Sequence, residues 1–149
     1  MSRSKQPEHL WALCLHNARS LRQALEYCSR AGIGAFRVNS QILPLKTHPR
    51  VGYRIEDLPD HREIVATFRG CGRFARAHRL RTSFHPDQFI LLSSPDAGVV
   101  ERSVADLEYQ AEVAEWIGAD VINIHGGGAY GDKPAALNRL KANFKLLPA

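Results

Sequence analysis

Two short stretches carry most of the chemical potential of this chain: S-F-H-P-D-Q-F at 83–89 and H-G-G-G-A-Y-G-D-K at 125–133. A histidine, His85 or His125, closes the apolar segment ahead of each polar run. Neutral imidazole is the commonest nitrogen ligand for first-row metals, and ligands at neighbouring strand ends can converge on one ion. His16, at the end of WALCLH, is predicted to stand at a third strand end. His48 and His85 each precede a proline, which holds the residue before it in extended backbone and so aims the ring. Taken singly, His16 reads more simply as a core or surface histidine and His48 as an ordinary loop histidine; His9, His61 and His78 read as surface residues. The glycines after His125 let backbone amides approach an anion ahead of a helix. A plain tight turn explains them too, but leaves Tyr130 and Lys133 beside them without a role. Gln88 and Phe89 stand at a rigid tip with no evident core to enter.

The elements that must position these residues follow from hydrophobic periodicity, which alternates short apolar runs with helical segments four times. Strands are predicted over WALCLH (11–16), AFRVN (35–39), LRTSFH (80–85) and DVINIH (120–125). The first helix, capped by Asn17 or Ser20, has Leu21, Leu25 and Cys28 on one face and ends at Gly32 or Gly34. A second spans 61–79 with Ile64, Phe68, Cys71 and Ala75 as its buried stripe, although Gly70 and Gly72 weaken its middle by about 1 kcal/mol each. A third covers 100–117 with apolar residues at 100, 104, 107, 111, 114 and 117, and a fourth starts at Pro134 and runs to about 147. The loop after the second strand far exceeds the usual two to six residues of such a connection, as functional loops often do. This pattern predicts an α/β fold of parallel β/α units, with the chemistry at the carboxyl edge of the strands.

Bulk properties set the outer limits. The 149 residues, 44% hydrophobic, suit one domain with one core. The absence of an 18-residue apolar run and of an apolar core in MSRSKQPEH predicts a cytoplasmic chain without a membrane span, its first nine residues flexible. Cys14, Cys28 and Cys71 are too few and too scattered for a disulfide framework or a zinc knuckle, so reduced, buried thiols are expected. No Walker spacing and no G-x-G-x-x-G after the first strand is present, which argues against a nucleotide cofactor. Twenty basic against fifteen acidic residues give a net charge of +5, suited to a polyanionic partner. Eight arginines fall in 50–81, and Arg62, Arg69, Arg73 and Arg76 share a helix face by spacing. A solvated surface is the simpler account of such a charge run.

The runs FRVNSQILPLKTHP, RTSFHPDQFILLSSP and INIHGGGAYGDKPAALNRL resemble, in order and spacing, the UV damage endonucleases. These are metal-dependent DNA repair enzymes on a TIM barrel related to the endonuclease IV and xylose isomerase barrels. The resemblance implies that His85 and His125, with His48 as a further metal-associated histidine, bind divalent metal ions, manganese ahead of zinc or magnesium. It implies that Gln88 and Phe89 form a probe pushed into damaged double-stranded DNA, with Asn17, Tyr130 and Lys133 along the DNA groove and Lys133 a candidate catalytic group. Such a wedge unstacks a base step for a few kcal/mol, least where a photolesion has already weakened the stack, so damage is read as deformability. The implied reaction is a nick 5' to the lesion, an excision-repair step in the cytoplasm or at the nucleoid. Multi-metal nucleases activate a water and stabilise the leaving oxygen in this chemistry.

Two local departures are Asn39-Ser40, where the family usually shows paired serines, and a first strand without the usual Gly-Tyr opening. The larger one is length. Four β/α units are half of the eight units and roughly 250 residues of a TIM barrel, so 1–149 is expected to be the N-terminal (βα)4 half. The other catalytic and ligand residues would lie in the absent half, and the chain is expected to be inactive alone, to need that half, or to self-associate through its open barrel. Two other readings remain open: a metal-dependent sugar isomerase or epimerase fragment, which has no use for an exposed wedge, and a non-catalytic half-barrel that dimerises.

Overall fold

The computed structural model describes residues 6–147. Its elements are α1 (Gln6–Arg30), β1 (Ala35–Val38), α2 (His61–Ala77), β2 (Arg81–Phe84), α3 (Ala97–Ile117), β3 (Val121–Ile122) and α4 (Lys133–Phe144), with a 3-10 turn at Ile55–Asp57 in the loop after β1. The strands form one parallel sheet in the order β1-β2-β3, with Val38 opposite Phe84 and Phe84 opposite Ile122. This is the expected α/β arrangement of parallel units, but with three strands among the described residues in place of the expected four, and the last spans only Val121–Ile122 of the expected 120–125.

WALCLH is not a strand. It lies inside the 25-residue α1, whose buried residues Leu10, Cys14, Ala18, Leu21, Leu25 and Cys28 recur every three or four positions. The run contains no β-branched residue, and its alanine and leucines are strong helix formers. An apolar run this short satisfies either period, and the upstream Leu10 decides for the helix. Positions 6–9, expected to be flexible, form the first turn of α1, whereas 1–5 lie outside the described residues. Gly32 ends the helix as expected, with φ +71° and the Ile33 amide donating to the Cys28 carbonyl at 2.9 Å.

The core lies between the helices and one face of the sheet. Phe68 of α2 and Phe84 of β2 are completely buried in it, each stabilising the fold by about 1.5–3 kcal/mol. All three cysteines are buried and free, as predicted. Ile64, Phe68, Cys71 and Ala75 form the buried stripe of α2, as the periodicity required. Gly72 does more than weaken that helix: any Cβ there would run into the Ile117 carbonyl, so the glycine sets how closely α2 approaches the end of α3. The Arg76 guanidinium donates to that same carbonyl at 3.3 Å, capping α3. On α3 itself the buried face is wider than predicted, taking in Ser103, Tyr109, Gln110 and Val113, while Val104 and Ala111 are half-buried.

The other face of the sheet is open. Ala35, Arg37, Arg81 and Val121 are exposed on it, and Ser83 is half-buried. Parallel sheets are normally covered on both faces. Among the described residues nothing covers this one, and β1 and β3 each have an unpaired outer edge.

Candidate active site at the strand ends

His85 follows β2 directly and is half-buried; His125 lies three residues beyond β3 and is exposed. The parallel pairing of β2 with β3 brings the two imidazoles together, ring centroids 4.6 Å apart and planes tilted by 33°. Arg37, from the open face of β1, donates from its guanidinium to His85 Nδ1 at 3.0 Å. A guanidinium can only donate, so Nδ1 is the acceptor and the neutral ring carries its proton on Nε2. Spacing had not singled out Arg37. The available signal was a charged residue inside a parallel strand, a place usually buried on both sides.

Immediately after His85 the chain makes a tight turn. Asp87 Oδ1 accepts from the Phe89 amide at 3.0 Å and the Asp87 carbonyl from the Ile90 amide at 3.0 Å, a local arrangement that aspartate favours. Gln88 and Phe89 are both exposed at its tip, Phe89 by 71%. The base of the loop is anchored: Ser103 Oγ of α3 accepts from the Leu91 amide at 2.9 Å, Asn143 of α4 donates to the Leu92 carbonyl at 2.8 Å, and Arg139 to the Ser93 carbonyl at 2.9 Å. A fixed base carrying an exposed aromatic is the reverse of hydrophobic collapse.

The glycine-rich stretch locks onto that base. Gly127, with φ +80°, packs so closely on the Ser93 hydroxyl that a Cβ would collide with it. Tyr130, itself at φ +51°, lies with its ring 5.7 Å from the Arg139 guanidinium, which thereby touches both loops. Asp132 caps α4 by accepting from the Ala135 amide at 3.0 Å, and Lys133 opens that helix, exposed. Arg139 was not marked by sequence, because one arginine on an amphipathic helix carries no signal of its own.

The remaining candidates lie elsewhere. His16 is on the exposed flank of α1, 3.5 Å from the Ser20 hydroxyl, and at no strand end; it does not join His85 and His125. His48 is exposed in the loop after β1, its Nδ1 accepting from the Arg50 amide at 3.2 Å. Asn17 is half-buried on α1, and its amide donates to the Ile42 carbonyl at 2.8 Å, holding the start of that loop. Tyr109 of α3 clamps the same loop, donating to the Ser40 carbonyl at 2.9 Å and accepting from the Leu43 amide at 3.0 Å. Burial raises the Tyr109 phenol well above its ordinary value, and it also raises the Asp106 carboxyl, which accepts from Gln110 and Thr47.

As a metal site the arrangement fits in part. Two adjacent imidazoles are the right ligand type, but among the described residues no three His, Cys, Asp or Glu side chains come together. Arg37 occupies the unprotonated nitrogen of His85. These residues therefore do not complete a coordination shell.

A parallel β/α sheet whose chemistry-bearing side chains gather at the carboxyl edge defines a partial barrel of the β/α type. The family assignment is narrower: the model for UV-endonuclease UvdE matches residues 1–149, and the chain belongs to that family. It is 37% identical over 155 aligned positions to a UV DNA damage endonuclease of Bacillus velezensis, covering 99% of this chain and 46% of that protein. With a Bacillus cereus counterpart it shares 34% identity, covering 100% of this chain and 46% of that one. The crystal structure of SacUVDE superposes with a TM-score of 0.85 at 29% identity, covering 99% of this chain and 50% of that structure. The chain thus spans about half the length of the curated relatives it matches. No helix among the described residues is long and apolar enough to cross a membrane.

Proposed function

We propose that the chain forms the DNA-probing and part of the metal-binding half of an endonuclease that nicks damaged duplex DNA 5' to photolesions, as a repair enzyme of the cytoplasm or nucleoid. One observation carries the reading: within five residues, His85 packs on His125 while Gln88 and Phe89 project outward from a turn with an anchored base. In this reading Gln88 and Phe89 enter the duplex at the weakened step, and the pinned loop keeps them from folding back when they meet the stack. Tyr130, Lys133 and Asn17 flank the groove, with Lys133 placed to meet a phosphate or a reacting group. His85, once the Arg37 guanidinium leaves its Nδ1, and His125, with His48 as a further candidate, hold divalent metal, manganese ahead of zinc or magnesium. The ligands that complete the shell come from outside the described residues, from a C-terminal half or a second copy. Bound metal supplies Lewis-acid polarisation of the scissile phosphate.

The test is incision of a photolesion-bearing duplex by the chain joined to the C-terminal half that completes its site. Replacing both Gln88 and Phe89 by alanine should lower incision while metal content stays unchanged, whereas His85→Ala or His125→Ala should lower metal content by elemental analysis. Unchanged incision in the first variant would remove the probe, and full metal occupancy in both of the others would remove the ligand assignment.

A further inference from the structure

The arginines of α2 divide into two groups with different tasks. Arg76, though exposed, donates to the Ile117 carbonyl at 3.3 Å and caps α3. Arg62, Arg69 and Arg73 are exposed and line, with His61, Val65 and Ala66, a shallow groove of about 570 Å³ on the outside of the molecule. The spacings of seven and four residues along a helix rising ~1.5 Å per residue put the guanidinium groups on one stripe ~16 Å long. Among the described residues none of the three forms an ion pair. The one acidic neighbour on this helix, Glu63, is held by Arg19 at 3.0 Å. A helix face that is merely solvated usually mixes charges and pairs them at i,i+4. This face concentrates one sign, in the residue type suited to bidentate phosphate contacts. Half-buried Val65 provides an apolar floor on which arginine stems can lie.

We infer that this outward stripe of α2 is a second contact surface for the phosphate backbone of duplex DNA, separate from the strand-end site. The buried side of α2 packs on the core behind the sheet, and His85 and His125 lie at the sheet's carboxyl edge, so one short segment of backbone cannot meet both. Duplex DNA carries one charge per ~1.7 Å of axis, so the stripe is long enough to neutralise several phosphates without reading a base. The choice of duplex DNA as the polyanion rests on the proposed function. The stripe would then supply salt-sensitive, sequence-independent affinity that holds the protein on undamaged DNA between lesions.

The experiment measures affinity of the full chain for a short undamaged duplex by fluorescence anisotropy across a salt series. Triple replacement of Arg62, Arg69 and Arg73 by glutamine should flatten the dependence of log affinity on log salt by about 2 to 3. A fourfold rise in salt then costs the parent about 40 times more affinity than it costs the variant. Replacing the same three by lysine should keep the parental slope, because charge carries the effect. Folding is checked by circular dichroism of each variant. An unchanged slope in the folded glutamine variant overturns the stripe and leaves the endonuclease reading standing. A parent that binds no duplex overturns both. Loss of binding to phosphatidylglycerol vesicles with unchanged duplex binding likewise overturns the inference.

Discussion

The chain holds two histidine-proline pairs, each in a loop that follows a strand, and the fold treats them differently. His85 packs on the ring of His125 and receives the Arg37 guanidinium. His48 is exposed, and its ring accepts from the amide of Arg50, two residues away. The proline stiffens both equally; the difference is that His85 has a neighbouring strand in register beside it. The loops also differ in their anchors. That of 40–60 is held through Asn17, Asp106 and Tyr109, while that of 85–96 is held through Ser103, Arg139 and Asn143. A rigid dipeptide aims a side chain, and a tertiary partner gives it something to aim at.

The comparison breaks most readily on metal content. In the chain joined to its C-terminal half, His85→Ala should lower metal affinity by at least tenfold and incision by about 100-fold or more, with a much smaller loss for His48→Ala. Equal losses on elemental analysis would show that His48 joins the same site. Next comes the tip: Gln88→Ala with Phe89→Ala should cut incision of damaged duplex by about 10- to 100-fold, yet shift folding stability by no more than ~0.5 kcal/mol, because both side chains are exposed. Denaturant titration beside the activity assay separates the two. In the other loop, Tyr109→Phe leaves the Leu43 amide without its acceptor and should cost about 1–3 kcal/mol in the same titration.

The smallest effect expected is one of pH. Burial raises the Asp106 carboxyl in the folded state, so folded protein keeps that proton to higher pH than the unfolded chain does. Its contribution to stability is therefore fully present below the unfolded value of about 3.9 and is lost as pH rises through the raised folded value. Asp106→Asn should remove that segment of the stability-versus-pH curve. A curve of unchanged shape would place the control in other carboxylates.

Much of the site was legible because its signals are local. Proline before and glycine after a polar residue mark rigid or left-handed backbone, and this picked out both loops and their histidines. The buried stripe of α2 was equally plain, its 3.6-residue period running unbroken. WALCLH misled because six residues are too few to separate two periods when taken apart from Leu10 upstream. Arg37 and Arg139 escaped notice because nothing in their own neighbourhood differs from a surface arginine. Each acquires its role from a residue some 46 to 48 positions away.

By itself the sequence determined the parallel β/α class, the strand-end placement of His85, the exposed Gln88–Phe89 turn and the family resemblance, all of which depend on periodicity or on contiguous residues. Only the tertiary structure decided that His16 belongs to a helix, that Arg37 meets His85, that Ser93 and Gly127 interlock the two motif loops, and that Arg76 leaves the α2 arginines to cap α3. The reason is physical: period and turn chemistry act through bonded neighbours, whereas register and close packing are set by segments the chain brings together only when it folds.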